Sequence, residues 1–142
     1  MNISPQYVAG FLDGEGCIQM VRQRSQGHYS WSHRLLVAVS NTYEPIVRAL
    51  HARYGGVFGS REVKNGRKKV YYWHLSGQRV KNVLDEVMPY LIEKKPQAVM
   101  ALDYLVKKTS TQRSGRGRSI HLSKKELALR DSFYWALRNA KK

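Results

Sequence analysis

Apolar residues recur with helical spacing in five stretches of this chain and alternate with polar residues in four. The first helical stretch has Val8, Phe11 and Leu12 at i, i+3 and i+4, with Ser4 as its N-cap and Pro5 at its first position. Gly10 and Gly14 fall on another face, again four apart, so no side chain separates the helix from whatever meets it there. An interior glycine costs a helix about 1 kcal/mol against alanine, which close approach of a second backbone would offset. Residues 17–24 then alternate, Ile18 and Met20 on one face and Gln19, Val21 and Gln23 on the other. A polar loop from Ser25 to Ser32, holding Tyr29 and Trp31, leads to a second strand over 33–40. Its core face is Leu35, Val37 and Val39, and its other face is Arg34, Leu36, Ala38 and Ser40.

Thr42 is expected to cap a helix that runs to about Tyr54 on the stripe Ile46, Val47, Leu50 and Tyr54, and Gly55-Gly56 stops it. Asn65-Gly66 turns a hairpin of strands 57–64 and 67–75. Aromatics occupy both faces of its second strand, at Tyr71, Tyr72 and Trp73, so the pattern leaves that register open. Ser76 is expected to cap a helix carrying Val80, Val83, Leu84 and Val87, which Pro89 ends or kinks. A basic elbow, Lys94-Lys95-Pro96-Gln97, precedes a helix from about Pro96 to Lys108 whose apolar face is read as Val99, Leu102, Leu105 and Val106. Residues 109–119 are polar, Gly-rich and basic and read as a loop; Ser123 and Glu126 form a capping box for a last helix to about Asn139. The result is an α+β chain of order αββαββα with a four-stranded antiparallel sheet and additional C-terminal helices. It is expected to be one domain over 1–142, with its core at about 5–108, the basic loop at 109–119 and the C-terminal helix at 123–139.

Charge changes this picture. The 142 residues carry a net charge of +15, from 25 Lys and Arg against 10 Asp and Glu. Self-repulsion on that scale points to a polyanionic partner, and nucleic acid fits better than a membrane surface because the basic residues are spread along the chain. No apolar run approaches a membrane span. Cys17 is the single cysteine, so no internal disulfide is possible, and the start carries no leader pattern. The expected location is intracellular and reducing: cytoplasm, nucleoid or organelle matrix. The five histidines are scattered and with one cysteine give no zinc-ligand spacing.

A sheet packed on helices by one face can grip a partner with the other. That free face is expected to hold Gln19, Gln23, Arg34 and Arg61, with Lys69 or Tyr71, while Lys64 and Arg67 flank the hairpin turn. Gln and Arg read adenine and guanine edges in the major groove, so double-stranded DNA is the expected partner. Arg116 and Arg118, in the Gly-rich loop, would contact phosphate without regard to sequence. The first helix ends at Gly14-Glu15-Gly16. Its last carbonyls carry partial negative charge, and Glu15 adds a full charge with two hard oxygens, which suits Mg2+. One carboxylate with carbonyls is an incomplete site that a phosphate or a second copy would complete.

The run Val8-Ala9-Gly10-Phe11-Leu12-Asp13-Gly14-Glu15-Gly16 resembles the signature of the LAGLIDADG homing endonuclease family. Ala9, Gly10, Asp13 and Gly16 match that name letter for letter, and Glu15 stands for its second aspartate. The element order over residues 5–108 is similar to that family's core. The resemblance implies that Glu15 is the metal-binding acid and the Gly14 carbonyl its backbone ligand. It implies that Asn41 orders water near the metal and that Lys94 is the active-site lysine. Asp13 is read as chiefly structural. The motif occurs once, so the resemblance implies a C2 homodimer whose two motif helices cross at Ala9, Gly10, Asp13 and Gly14. It further implies Mg2+-dependent hydrolysis, with Mn2+ able to substitute, of a palindromic or pseudo-palindromic DNA site. Cleavage would span the minor groove and leave 3′ overhangs, and the gene would belong to intron or intein mobility. A non-cleaving DNA- or RNA-binding protein of the same fold, a maturase or repressor, is the alternative, separated by Mg2+-dependent nicking. A basic scaffold protein would leave Gly10, Gly14 and Glu15 without purpose.

Overall fold

The computed structural model describes residues 1–24, 31–64, 66, 68–108 and 122–141. Its elements are α1 (Pro5–Glu15), β1 (Gly16–Arg24), β2 (Trp31–Asn41), α2 (Glu44–Tyr54), β3 (Val57–Glu62), β4 (Lys69–Ser76), α3 (Val80–Val87), α4 (Lys95–Lys107) and α5 (Lys124–Asn139). Single 3-10 turns, Gly77–Arg79 and Met88–Tyr90, flank α3. The four strands form one antiparallel sheet in the order β1-β2-β4-β3. This is the α+β architecture and element order that the sequence predicts. No helix among the described residues is long and apolar enough to cross a membrane. Asn65, Arg67 and the 109–119 loop with Arg116 and Arg118 lie outside the described residues.

One face of the sheet is buried under helices. Ile18, Leu35, Val37, Val39, Trp73 and Leu75 point into the core, where Val8 and Leu12 of α1, Val47 and Leu50 of α2, and all four predicted α3 positions meet them. Trp73 settles the register that the aromatic run left open. It is fully buried and donates its indole N–H to the Gly55 carbonyl at 2.7 Å. With Trp73 turned inward and paired to Val39, alternation turns Lys69 and Tyr71 to the helix side as well. Tyr71 stacks there on Phe58 at 6.2 Å, and a hydrogen bond to the Glu44 carboxylate holds its phenol above the usual range. Placing Lys69 or Tyr71 on the free face is therefore corrected: Tyr72 and His74 hold those positions.

The register also sets the sheet's outline. The β1–β2 hairpin ends at Arg24 opposite Trp31, and the β3–β4 hairpin continues past Asn41 in the other direction, ending at Glu62 opposite Lys69. The two hairpin tips thus point to opposite ends of the sheet.

Helix ends and faces bring three further corrections. Thr42 does not cap α2: the N-cap position falls to Tyr43 and has no side-chain cap, and Asn41 instead makes a turn just before the helix, its side-chain oxygen accepting the Tyr43 N–H at 2.8 Å. Ser76 makes no side-chain cap, because the chain passes through the 3-10 turn at Gly77, whose φ of 66° suits glycine. The buried face of α4 is Gln97, Ala98, Ala101, Tyr104 and Leu105, while Val99 and Val106 are 53% and 80% exposed. Of the four residues read as its apolar face, Leu105 is buried and Leu102 packs against the core, while small Ala98 and Ala101 take the inward positions that Val99 and Val106 do not. As expected, Ser123 caps α5, accepting the Glu126 N–H at 3.1 Å. α5 packs on β1 and α4, and its Asp131 accepts from Arg22 at 3.1 Å and meets the His33 ring nitrogen at 2.8 Å.

Candidate functional site

The site is built at the C-terminal end of α1, where the helix passes directly into β1. The turn needs Gly16: a Cβ there would lie 2.8 Å from both the Leu12 carbonyl oxygen and a Leu12 methyl. Gly16 donates its N–H to that carbonyl. The next carbonyl, that of Asp13, accepts the Lys94 ammonium. The Asp13 carboxylate reaches the same elbow, accepting the Ile92 N–H at 2.8 Å and the Lys94 N–H at 2.9 Å. A cation is thereby fixed where the helix carries its partial negative charge, two residues from Glu15.

Glu15 is exposed and has no hydrogen-bond or ion-pair partner among the described residues. Gly14, also exposed, brings its carbonyl beside it. These are hard oxygen donors and fit an Mg2+-type ion in kind. They fall short in number, since no three His, Cys, Asp or Glu among the described residues could together hold a metal. Asn41 stands at the same end of the sheet, two residues beyond Val39, the partner of Gly16. Its side-chain oxygen is taken by Tyr43, which leaves its amide N–H groups as donors.

The outer face of α1 is open. A Cβ at Gly10 or Gly14 would meet nothing within 4 Å among the described residues. Tyr7, 52% exposed, stacks on half-buried Phe11 along the same side at 6.1 Å. Ala9 is a correction to the expected crossing set: it is fully buried in the domain's own core, one helical step from Gly10, and has no surface left for a partner. Asp13 turns to the elbow.

The sheet face away from the helices presents Gln19 and Gln23 from β1, Arg34 from β2 and Arg61 from β3, as expected from alternation. Lys64, exposed, follows β3 at the hairpin turn. Gln19 is approached by the Lys141 ammonium at 3.4 Å, so the end of α5 reaches this face too. Tyr72, His74 and Ser76 complete it from β4. Burial and the Arg34 charge push the His74 imidazole down from its ordinary value. The signal that would have found Tyr72 and His74 is Trp73, the residue of that run with the most to gain from burial.

A family model described as LAGLIDADG endonuclease matches residues 8–109. No curated protein sequence matches the chain. Among solved structures, the homing endonuclease I-CvuI in complex with the I-CreI target, in the presence of 2 mM Mg, superposes with a TM-score of 0.61 at 21% identity, covering 72% of this chain and 66% of that one. The archaeal intron-encoded homing endonuclease I-Vdi141I complexed with DNA gives 0.72 at 14% identity, over 97% of this chain and 84% of that one. I-GzeII in complex with its DNA target gives 0.64 at 16%, over 96% of this chain and 44% of that one. At these identities the likeness is one of fold. The chain spans just under two thirds of the length of I-CvuI and less than half that of I-GzeII.

Proposed function

The chain belongs to the LAGLIDADG endonuclease family, and on that premise we propose that it is a site-specific double-strand DNA endonuclease acting as a C2 homodimer. The observation that carries this reading is the Lys94 ammonium held on the Asp13 carbonyl beside Glu15, which has no partner among the described residues. The Lys94 ammonium makes no ion pair among the described residues and can meet phosphate. The open face of Tyr7, Gly10 and Gly14 supports a second copy of α1 crossing there, which would bring two Glu15 carboxylates together and complete the donor set that one chain lacks. Two-fold symmetry then implies a palindromic or pseudo-palindromic target.

Glu15 and the Gly14 carbonyl would hold Mg2+, or Mn2+ in its place, and the ion when bound supplies Lewis-acid chemistry at the phosphate. Lys94 neutralises charge that develops on the phosphate oxygens, and its fixed position means that little reorganises during reaction. Asn41, with its oxygen already used, orients a water through its amide N–H groups. The open sheet face lies in the major groove, with Gln19, Gln23, Arg34 and Arg61 towards base edges. Cleavage across the minor groove leaves 3′ overhangs.

Selection from a randomised DNA library tests the reading. Incubation with Mg2+ should enrich cleaved sites that share two inverted half-sites, and a chelator should abolish the enrichment. No cleavage of any sequence with Mg2+ or Mn2+ would overturn it.

A further inference from the structure

Gly59 and Tyr72 face each other across β3 and β4 on the open side of the sheet. A Cβ on Gly59 would stand 2.3 Å from both Cζ and the hydroxyl of Tyr72, and 2.9 Å from a ring carbon. The Tyr72 ring is therefore laid over β3, in the space that any other residue at 59 would fill. His74 continues the layer: its ring lies within 6° of parallel to that of Tyr72, with centroids 6.3 Å apart. On the β2 side their partners are Ser40 and Ala38, both small. The two stacked rings occupy the middle of the open face, between hairpins that extend to either side. Arg34 and Arg61 carry donors for purine edges; the Tyr72 ring, its hydroxyl turned over Gly59, offers the groove ring carbons. What a major groove presents to ring carbon is the 5-methyl group of thymine.

We infer that Tyr72, laid over Gly59 and stacked with His74, packs on a thymine methyl in each half-site, with Gly59 as the positioning residue for that contact. The inference rests on the endonuclease reading and adds a base preference to it. Gly59→Ala should fold, because the nearest atoms in the way belong to the end of the Tyr72 side chain and residue 59 does not need a positive φ. Its effect is to lift the Tyr72 ring.

The test uses the intact protein and a site selected as above. Thymine is replaced by deoxyuridine, one position at a time and symmetrically, which removes only the methyl. One position should weaken wild-type binding by about fourfold per half-site, the worth of one buried methyl. Tyr72→Ala and Gly59→Ala should each lose that discrimination. Gly59→Ala should change nothing further in the Tyr72→Ala background, which a purely structural role for Gly59 would not give. If no sequence is selected at all, the endonuclease reading falls and this inference with it. If sites are selected and cut but no thymine methyl matters, or if both variants keep the discrimination, this inference alone is overturned.

Discussion

Asp13 holds Lys94 by both ends of the residue: its carboxylate accepts the Lys94 backbone N–H at 2.9 Å, and its own carbonyl accepts the Lys94 ammonium. The two residues are 81 positions apart in sequence, so this latch ties the end of the motif helix to the elbow before α4. Asp13→Ala leaves two elbow N–H groups without their acceptor. Loss of such bonds typically costs about 1–3 kcal/mol, and a 1 Å drift of Lys94 can cost catalysis about 100-fold. Cleavage should fall by that order while DNA affinity stays within a few-fold. Unchanged turnover would show that Lys94 does not depend on the latch.

Gly10→Leu should disrupt assembly and activity together. Leu would stand on the open face of α1, where a Cβ at position 10 meets nothing within 4 Å among the described residues, so the isolated domain should keep its fold. Against a crossing helix the same side chain overpacks, at about 1–3 kcal/mol for each copy. Sedimentation reports the assembly and circular dichroism the fold. A variant that dimerises normally places the interface elsewhere.

Arg61→Ala should relax base selection rather than weaken all sequences alike. The residue sits on the open face opposite Val70, not at a hairpin tip. One bidentate contact to guanine is worth about 1–3 kcal/mol of discrimination. Profiling cleaved sites for parent and variant measures it, and an identical profile would remove Arg61 from the reading surface.

Docking of α5 should weaken in acid. Burial works against the charge of Asp131, but hydrogen bonds from His33 and Arg22 outweigh it and hold the carboxyl below the usual carboxylate range. A lowered folded-state pKa contributes stability above the unfolded value, near 3.8, and that contribution is lost as pH falls through the folded value. Asp131→Asn should therefore lower the melting temperature at pH 7, by an amount worth at most about 1 kcal/mol because the group is partly exposed. The difference from the parent should shrink below pH 3.8. A gap of constant size across that range would contradict the assignment.

The parts of this fold that are legible in the sequence are those where one large apolar stripe decides the packing. The α3 stripe Val80, Val83, Leu84 and Val87 is fully buried, and the alternation in β1 and β2 faces the core as read. Legibility fails where burial falls to small or ambiguous residues. Ala98 and Ala101 share the inner face of α4 with Tyr104 and Leu105 because they allow close approach, and three successive aromatics hide the register of β4. The site divides in the same way. Glu15 and Lys94 are suggested by the motif and the element order, but the Asp13 latch joins distant segments and no local spacing records it. Gly59 looks like an ordinary strand glycine until Tyr72 is seen lying over it.

The most direct measurement is made with Glu15→Gln on a selected DNA site, following plasmid cleavage in Mg2+ and binding in parallel. Glu15 has no partner among the described residues, so its removal should leave the fold intact, and the loss of one charge eases repulsion from phosphate. The account predicts cleavage reduced more than about a hundredfold, beyond what loss of a residue merely supporting a ligand brings, with affinity equal to or tighter than the parent. Cleavage within tenfold of the parent would contradict it.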